Sequence, residues 1–258
     1  MKNNILDLDK IGFIDNLEFL PNFFDEFNTK NRMRQLFLNL VNCMIPKNCR
    51  FEKYEQKTYS NYDLKSVFLA KLHKLKPVSN VLIYKTNRIY KFNFCKNSTL
   101  IINNYKKGKF VNIMVSNSNL IPYANFLTYA FNKNKLEFLV QKDFLFHEFI
   151  TKKLKKIHPD KTIINQGKSL CIMKNNEIVL KIYNSWKNID KNRLNIKNEL
   201  DHALNEISDN YDKDIYLIYP KNKNFNKHIE LKINAIKDKK NKIKLIPYSL
   251  RSVLRQTI

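Results

Sequence analysis

Residues 144–183 read FLFHEFITKKLKKIHPDKTIINQGKSLCIMKNNEIVLKIY, and the spacing of apolar side chains in this stretch decides the fold. Residues 144–157 carry them at helical intervals, and His158-Pro159 stops the helix, because proline supplies no backbone N–H and disfavours helical backbone before it. Residues 162–166 are short, apolar and β-prone, so they read as a strand. Residues 169–174 and 177–183 read as two more, joined at Asn175-Asn176 in a hairpin that no glycine completes. Further on, residues 193–211 form an amphipathic helix with Leu194, Leu200, Leu204 and Ile207 on one face. Residues 215–219 are a strongly apolar strand closed by Pro220. Additional strands follow at 228–233 and 242–246, with 237–244 as an exposed hairpin turn. The order of the core is therefore α-β-β-β-α-β, an α/β (α+β) class.

Upstream the rhythm is less regular. Residues 17–45 place Leu17, Leu20, Phe23, Phe24, Phe27, Met33, Leu36, Phe37, Leu40, Val41 and Met44 at helical spacing. Pro21 and residues 28–31 split them into two helices, and Pro46 ends the second. Asp63 is placed to cap a helix over 64–75. The segments 81–84, 89–95, 99–103 and 110–115 are β-rich, and 122–140 reads as helical. The chain thus divides into a basic mixed α/β region, 1–135, and a second domain, 136–258.

Charge narrows the function. The 258 residues carry a formal net charge of +24 but contain only three glycines, Gly12, Gly108 and Gly167. Phosphate sites built from clustered glycines are thereby excluded, since they need several to bring backbone N–H groups against a ligand. Compositional drift in an AT-rich genome adds lysines, but it does not clear acids from one region. Between residues 64 and 135 there are thirteen Lys and Arg and no Asp or Glu. A folded surface of one sign repels itself unless an anion neutralises it, and nucleic acid is the commonest such partner. No apolar run is long enough for a membrane span, and MKNNILDLDK lacks the apolar core of a signal peptide. The four cysteines are scattered without metal-ligand spacing. The expectation is a cytoplasmic protein with reduced thiols that does not enter membranes.

The same residues carry a resemblance. The order α-β-β-β-α-β is that of the PD-(D/E)XK nuclease fold, and the helix opening Phe144-Leu145-Phe146-His147-Glu148-Phe149-Ile150 resembles that of McrC, the nuclease subunit of modification-dependent restriction systems. Ile163-Ile164-Asn165-Gln166 resembles the McrC strand that ends in Gln, and Ile178-Val179-Leu180 its third core strand. Ile215-Tyr216-Leu217-Ile218-Tyr219-Pro220 resembles its "LLYP" segment. The similarity covers roughly residues 136–250. It implies nucleic-acid binding in a restriction or defence system, DNA before RNA, and an AAA+ GTPase partner of McrB type.

The departures bear on chemistry. Such nucleases hold Mg²⁺ with an acid on each of two strands, followed by a lysine that orients water. The resemblance places Lys168 or Ser169 at the first acid, Lys181 at the second, Tyr183 at the lysine and His147 at a helix glutamate. Ammonium groups do not ligate Mg²⁺, so the expected protein binds without a cofactor and without cutting. Its binding set is Arg88, Lys91, Lys106, Lys107, Lys152, Lys153, Lys168, Lys181 and Tyr183. Two alternatives stand beside it. An active Mg²⁺-dependent endonuclease would need a rearranged site drawn from Glu148, Asp160, Glu177 and Lys181, with Glu177 the candidate metal ligand. A layout over 36–95 that resembles small-subunit ribosomal protein seven would imply rRNA binding. Trp186 reads as a half-buried core residue or a base-stacking one. The acids Glu199, Asp201, Glu206, Asp209, Asp212 and Asp214 read as a face turned away from nucleic acid.

Overall fold

The computed structural model describes residues 9–14, 17–20, 29–44, 62–74 (71–74 as backbone), 103–104, 107, 137–208, 211–232 and 241–251. Most of the acid-free stretch lies outside them, including Arg88, Lys91, Lys106 and, apart from Asn103, the expected strands between 81 and 115. The second half of the 237–244 turn is described only from residue 241. The chain divides into two compact units, with Gln141 and Lys142 on either side of the division.

The first unit contains a three-stranded antiparallel sheet of β1 (Lys10–Ile14), β2 (Leu17–Phe19) and β3 (Glu137–Gln141), in the order β2-β1-β3. Two helices accompany it, α1 (Lys30–Met44) and α2 (Leu64–Lys74). Phe13, Phe37, Phe68 and Phe138 form its aromatic core, with the Phe13 and Phe68 rings edge to face at 5.2 Å. Gly12 is required where β1 crosses β3: its φ is +141°, and a Cβ there would stand 1.8 Å from the Phe138 carbonyl oxygen. Asp63 caps α2 as expected, its Oδ1 accepting from the Ser66 N–H at 2.6 Å. Two expectations are corrected. Leu17–Phe19 is a strand, not the start of a helix, and Glu137–Gln141 is a strand where a helix over 122–140 was expected. In both cases pairing with β1 overrides local spacing, and the β1–β3 pairing joins Lys10 to Gln141 across about half the chain.

The second unit realises the expected α-β-β-β-α-β core. It runs α3 (Lys142–Ile157), β4 (Thr162–Gln166), β5 (Ser169–Lys174), β6 (Glu177–Asn184), α4 (Lys197–Ser208) and β7 (Ile215–Pro220), then β8 (Ile229–Leu231) and β9 (Ile243–Tyr248). One sheet orders them β4-β5-β6-β7-β9-β8. The first three strands are antiparallel neighbours, whereas β6, β7 and β9 run parallel. The return from β6 through α4 to β7 is the crossover that parallel pairing demands. Helix α4 is shorter than the 193–211 expected, and Leu194 precedes it, exposed.

The two hairpins use different turn chemistry. Asn175 and Asn176 both have positive φ, 51° and 64°, so two asparagines supply the left-handed pair of a type I′ turn. Between β4 and β5 only Gly167 is left-handed, at φ 59°, and Lys168 follows it at the tip. Strand alternation then assigns the faces. Asn165 and Asn184 meet His147 of α3, while Lys181 and Tyr183 meet Glu206 of α4, so the helices cover opposite faces. Under α3, Phe146 packs edge to face on Trp186 and Phe149 on Tyr248. Under α4, Ala203 and Ile207 pack with Ile215, Leu217, Tyr219, Ile243 and Leu245. Each fully buried Ile, Leu or Phe among them stabilises the fold by about 1.5–3 kcal/mol.

Candidate nucleic-acid interface

The α4 face of the sheet holds a polar cluster at its β5–β6 end. Direct pairing sets Ser169 beside Tyr183 and Cys171 beside Lys181, and alternation turns all four toward α4. Lys181 is buried, its side chain 8% exposed, and its ammonium bonds the Glu206 carboxylate. The Tyr183 hydroxyl donates to the other Glu206 oxygen at 2.9 Å. Cys171 donates to Gln166 Oε1 at 3.1 Å, and Ser169 Oγ to the Gln166 carbonyl at 3.0 Å. The Lys181 ammonium also lies over the Tyr211 ring, 4.7 Å from its centroid. Toward solvent, the His202 ring stacks parallel to Tyr183 at 6.1 Å, and Lys168 Nζ stands 3.4 Å from His202 Nε2.

Electrostatics in the cluster follow from burial and from one carboxylate. Burial pushes Glu206 up, but hydrogen bonds from Lys181 and Tyr183, with the lysine charge, outweigh it and hold the carboxyl below its ordinary value. Burial first, then the Glu206 bond and charge, push the Tyr183 phenol well above its ordinary range. Burial likewise raises the Cys171 thiol, with Lys181 and the Ser169 bond only partly opposing it. At neutral pH the cluster therefore holds one ammonium–carboxylate pair, protonated phenols and a protonated thiol. A divalent cation does not fit that donor set, because Glu206 is its sole carboxylate and is bonded to Lys181. Among the described residues no three His, Cys, Asp or Glu side chains gather in a way that could hold a metal ion.

The structure separates the residues singled out from sequence. Lys168 is exposed at its turn, and Lys107 is exposed, its backbone N–H bonded to Asn104. Lys152 and Lys153 are half-buried on α3. Lys181 and Tyr183 are buried, and so is Trp186, at 4%, beneath α3 rather than open to a base. Glu148 lies on α3, Asp160 is exposed after it, and Glu177 is exposed beside Lys174 at the far end of β6; these acids do not converge. Of the acids on and beyond α4, Glu206 points under its helix to Lys181. Glu199 also turns inward, to Lys187 at 2.7 Å. Glu206 and His202 were not singled out as site residues. Their available signal was position: Glu206 adjoins Ile207 and lies three residues after Ala203, at the border of the buried stripe.

No family model matches this sequence, and no curated protein matches it at a significant level. Among solved structures, the chain is similar to one in the refined half-complex from the tetradecameric assembly of Thermococcus gammatolerans McrB AAA+ hexamers with bound McrC. The match has a TM-score of 0.61 and 12% sequence identity, and it covers 96% of this chain and 82% of that one. At such identity the likeness is one of fold: a mixed α+β chain compatible with a nuclease-like core. Among the described residues no helix is long and apolar enough to cross a membrane.

Proposed function

We propose that this protein is an McrC-like subunit of a restriction-type defence system, with a PD-(D/E)XK-like second unit that binds nucleic acid without cutting it. The observation that carries this reading is the likeness to a chain of the McrB–McrC assembly across 96% of the sequence, both units included. It speaks against the ribosomal alternative, which leaves residues 140–258 as an unexplained extension. By the same likeness the partner is an AAA+ protein of McrB type, and the sequence resemblance implies that it is a GTPase. The loss of cutting rests on Lys181, which stands where the resemblance places an acid and is bonded to Glu206. Buried in that pair, Lys181 serves the fold, and Lys168 stays exposed at the β4–β5 turn beside it. DNA is the favoured nucleic acid, contacted through Lys168 and the lysines of α3 together with the acid-free stretch.

The test is fluorescence anisotropy with a labelled 30-base-pair duplex and its single strands, with and without EDTA, beside a plasmid-nicking assay in Mg²⁺. The expected result is salt-sensitive binding that EDTA leaves unchanged, and no nicking. Mg²⁺-dependent nicking lost on Glu177→Ala would establish the active-endonuclease reading instead. Preference for RNA with ribosome co-sedimentation would establish the ribosomal one.

A further inference from the structure

We propose that Asn165 and Gln166, at the end of the outer strand β4, read A·T pairs through the minor groove of DNA as side chains that only donate. This deepens the proposed function and rests on it, adding to its phosphate contacts the contacts that carry sequence. Each carboxamide has lost its acceptor to the fold. Asn184 Nδ2 lies 3.1 Å from His147 Nδ1, and an amide nitrogen only donates, so Nδ1 accepts and the ring proton sits on Nε2. That N–H donates to Asn165 Oδ1 at 3.2 Å. On the opposite face of the sheet the buried Cys171 thiol donates to Gln166 Oε1 at 3.1 Å, and burial keeps that thiol protonated. Both residues are exposed, and their NH₂ groups are left as donors for a ligand.

The frame around these amides suits a duplex. Among the described residues β4 pairs only with β5, so its other edge is open. Thr162–Gln166 carries no charge, and all of it but Ile163 is exposed, while Lys161 precedes the strand and Lys168 follows it. Outer strands are ordinarily guarded by charge, and this one is instead a neutral window between two cations. Phosphates held by the lysines leave base edges opposite the window. Neighbouring strand residues face opposite sides, so the two amides flank the open edge. The groove follows from the missing acceptors. An Asn or Gln that reads adenine in the major groove uses its oxygen as well as its nitrogen, and here both oxygens are taken. In the minor groove an A·T pair offers only acceptors, A N3 and T O2, in either orientation, whereas G·C adds the guanine amino group, a donor that an NH₂ cannot satisfy. Guanine in the major groove also offers acceptors, N7 and O6, and inosine separates the two grooves.

The experiment measures the full chain by anisotropy, at constant pH and salt, on three labelled 30-base-pair duplexes: A·T-rich, G·C-rich, and the G·C-rich sequence with inosine for guanine. Inosine lacks the N2 amino group, so an I·C pair resembles A·T in the minor groove and G·C in the major groove. Wild type is expected to bind the A·T and I·C duplexes alike, each about tenfold tighter than the G·C duplex, roughly the discrimination of one base-edge contact. Gln166→Met and Asn165→Leu should each shrink that ratio, and the double variant should bring it close to unity, with circular dichroism checking that each is folded. The inosine comparison needs no variant. Equal wild-type affinity for all three duplexes, an I·C duplex that follows G·C, or a ratio that survives in the folded double variant would overturn the inference and leave nucleic-acid binding standing. Absence of wild-type binding to all three would overturn the function and the inference together.

Discussion

In each unit a described carboxylate ties a helix to a strand through a cation, and the two arrangements are built differently. In the first unit Glu18 of β2, 4% exposed, accepts from Arg34 of α1 through both oxygens, at 2.7 and 2.9 Å. It also accepts the Leu64 backbone N–H at 2.8 Å, where α2 begins, and Lys30 stands 3.3 Å away. That carboxylate is saturated by planar and backbone donors, and it joins β2, α1 and α2. In the second unit Glu206 is 29% exposed and binds a lysine, a point charge without a fork, and the phenol of Tyr183. Cys171, Tyr211 and His202 surround this second pair. The same type of pair is thus a staple in one unit and the floor of a candidate site in the other. What differs is how many hydrogen-bonding valences the carboxylate has left and what side chains border it.

The comparison can be broken by removing each acid. Glu18→Ala should cost the most, about 3–5 kcal/mol, because Arg34 is left nearly buried without its partner and the first turn of α2 loses an acceptor. Urea denaturation followed by circular dichroism measures it, and a loss below about 1 kcal/mol would refute the staple. Glu206→Ala should cost about 2–3 kcal/mol by the same argument, discounted for the greater exposure of the glutamate. A smaller effect is expected when both partners go: Lys181→Met with Glu206→Leu should fall within about 1 kcal/mol of wild type, since no buried charge is then unpaired. If the double variant is as damaged as Glu206→Ala, the pair contributes through packing rather than charge.

Acid titration sharpens the same contrast. The Glu206 carboxyl is held below its ordinary value in the folded chain, so its contribution is fully present above the unfolded value of about 4.3 and is lost as pH falls through the lower, folded value. The stability difference between wild type and Glu206→Gln should therefore be constant from pH 7 to about 5 and shrink below about 4. A difference that grows on acidification would show that the lysine bond does not control this group. The smallest effect concerns Cys171, buried and with its thiol raised. Peptide mapping after iodoacetamide treatment should find it unmodified in the native chain and alkylated after denaturation. Labelling at the native rate of a free thiol would place Cys171 at the surface.

The second unit was far more legible in sequence than the first. Strands 162–166 and 169–174 coincide with those observed, and the helix and strands around them differ by a residue or two at their ends. Their signals are local: helical or two-residue spacing, a proline stop, and an Asn-Asn turn. In the first unit β2 and β3 exist because they pair with β1, and nothing near Leu17 or Phe138 announces that partner. The candidate site divides the same way. Lys168 and Lys181 stand out as lysines where the resemblance places acids, but Glu206 reads in sequence as one of a set of acids on a face turned away from nucleic acid. Its bond to Lys181 spans 25 positions and depends on which side of α4 meets the sheet.

The sequence by itself determined the order of elements in the second unit, the two tight turns that space its first three strands, and the lysine at position 181. It also determined the exclusion of glycine-built phosphate sites. Only the tertiary structure decided the state of that lysine. Docking α4 across the sheet brings Glu206 against Lys181 and leaves Lys168 beside His202 in solvent. Periodicity records which residues are buried, whereas the charge a site presents depends on partners that meet only after the helix has packed. Here one of the two lysines is neutralised within the fold, and the other stays exposed at its turn, within reach of an anion.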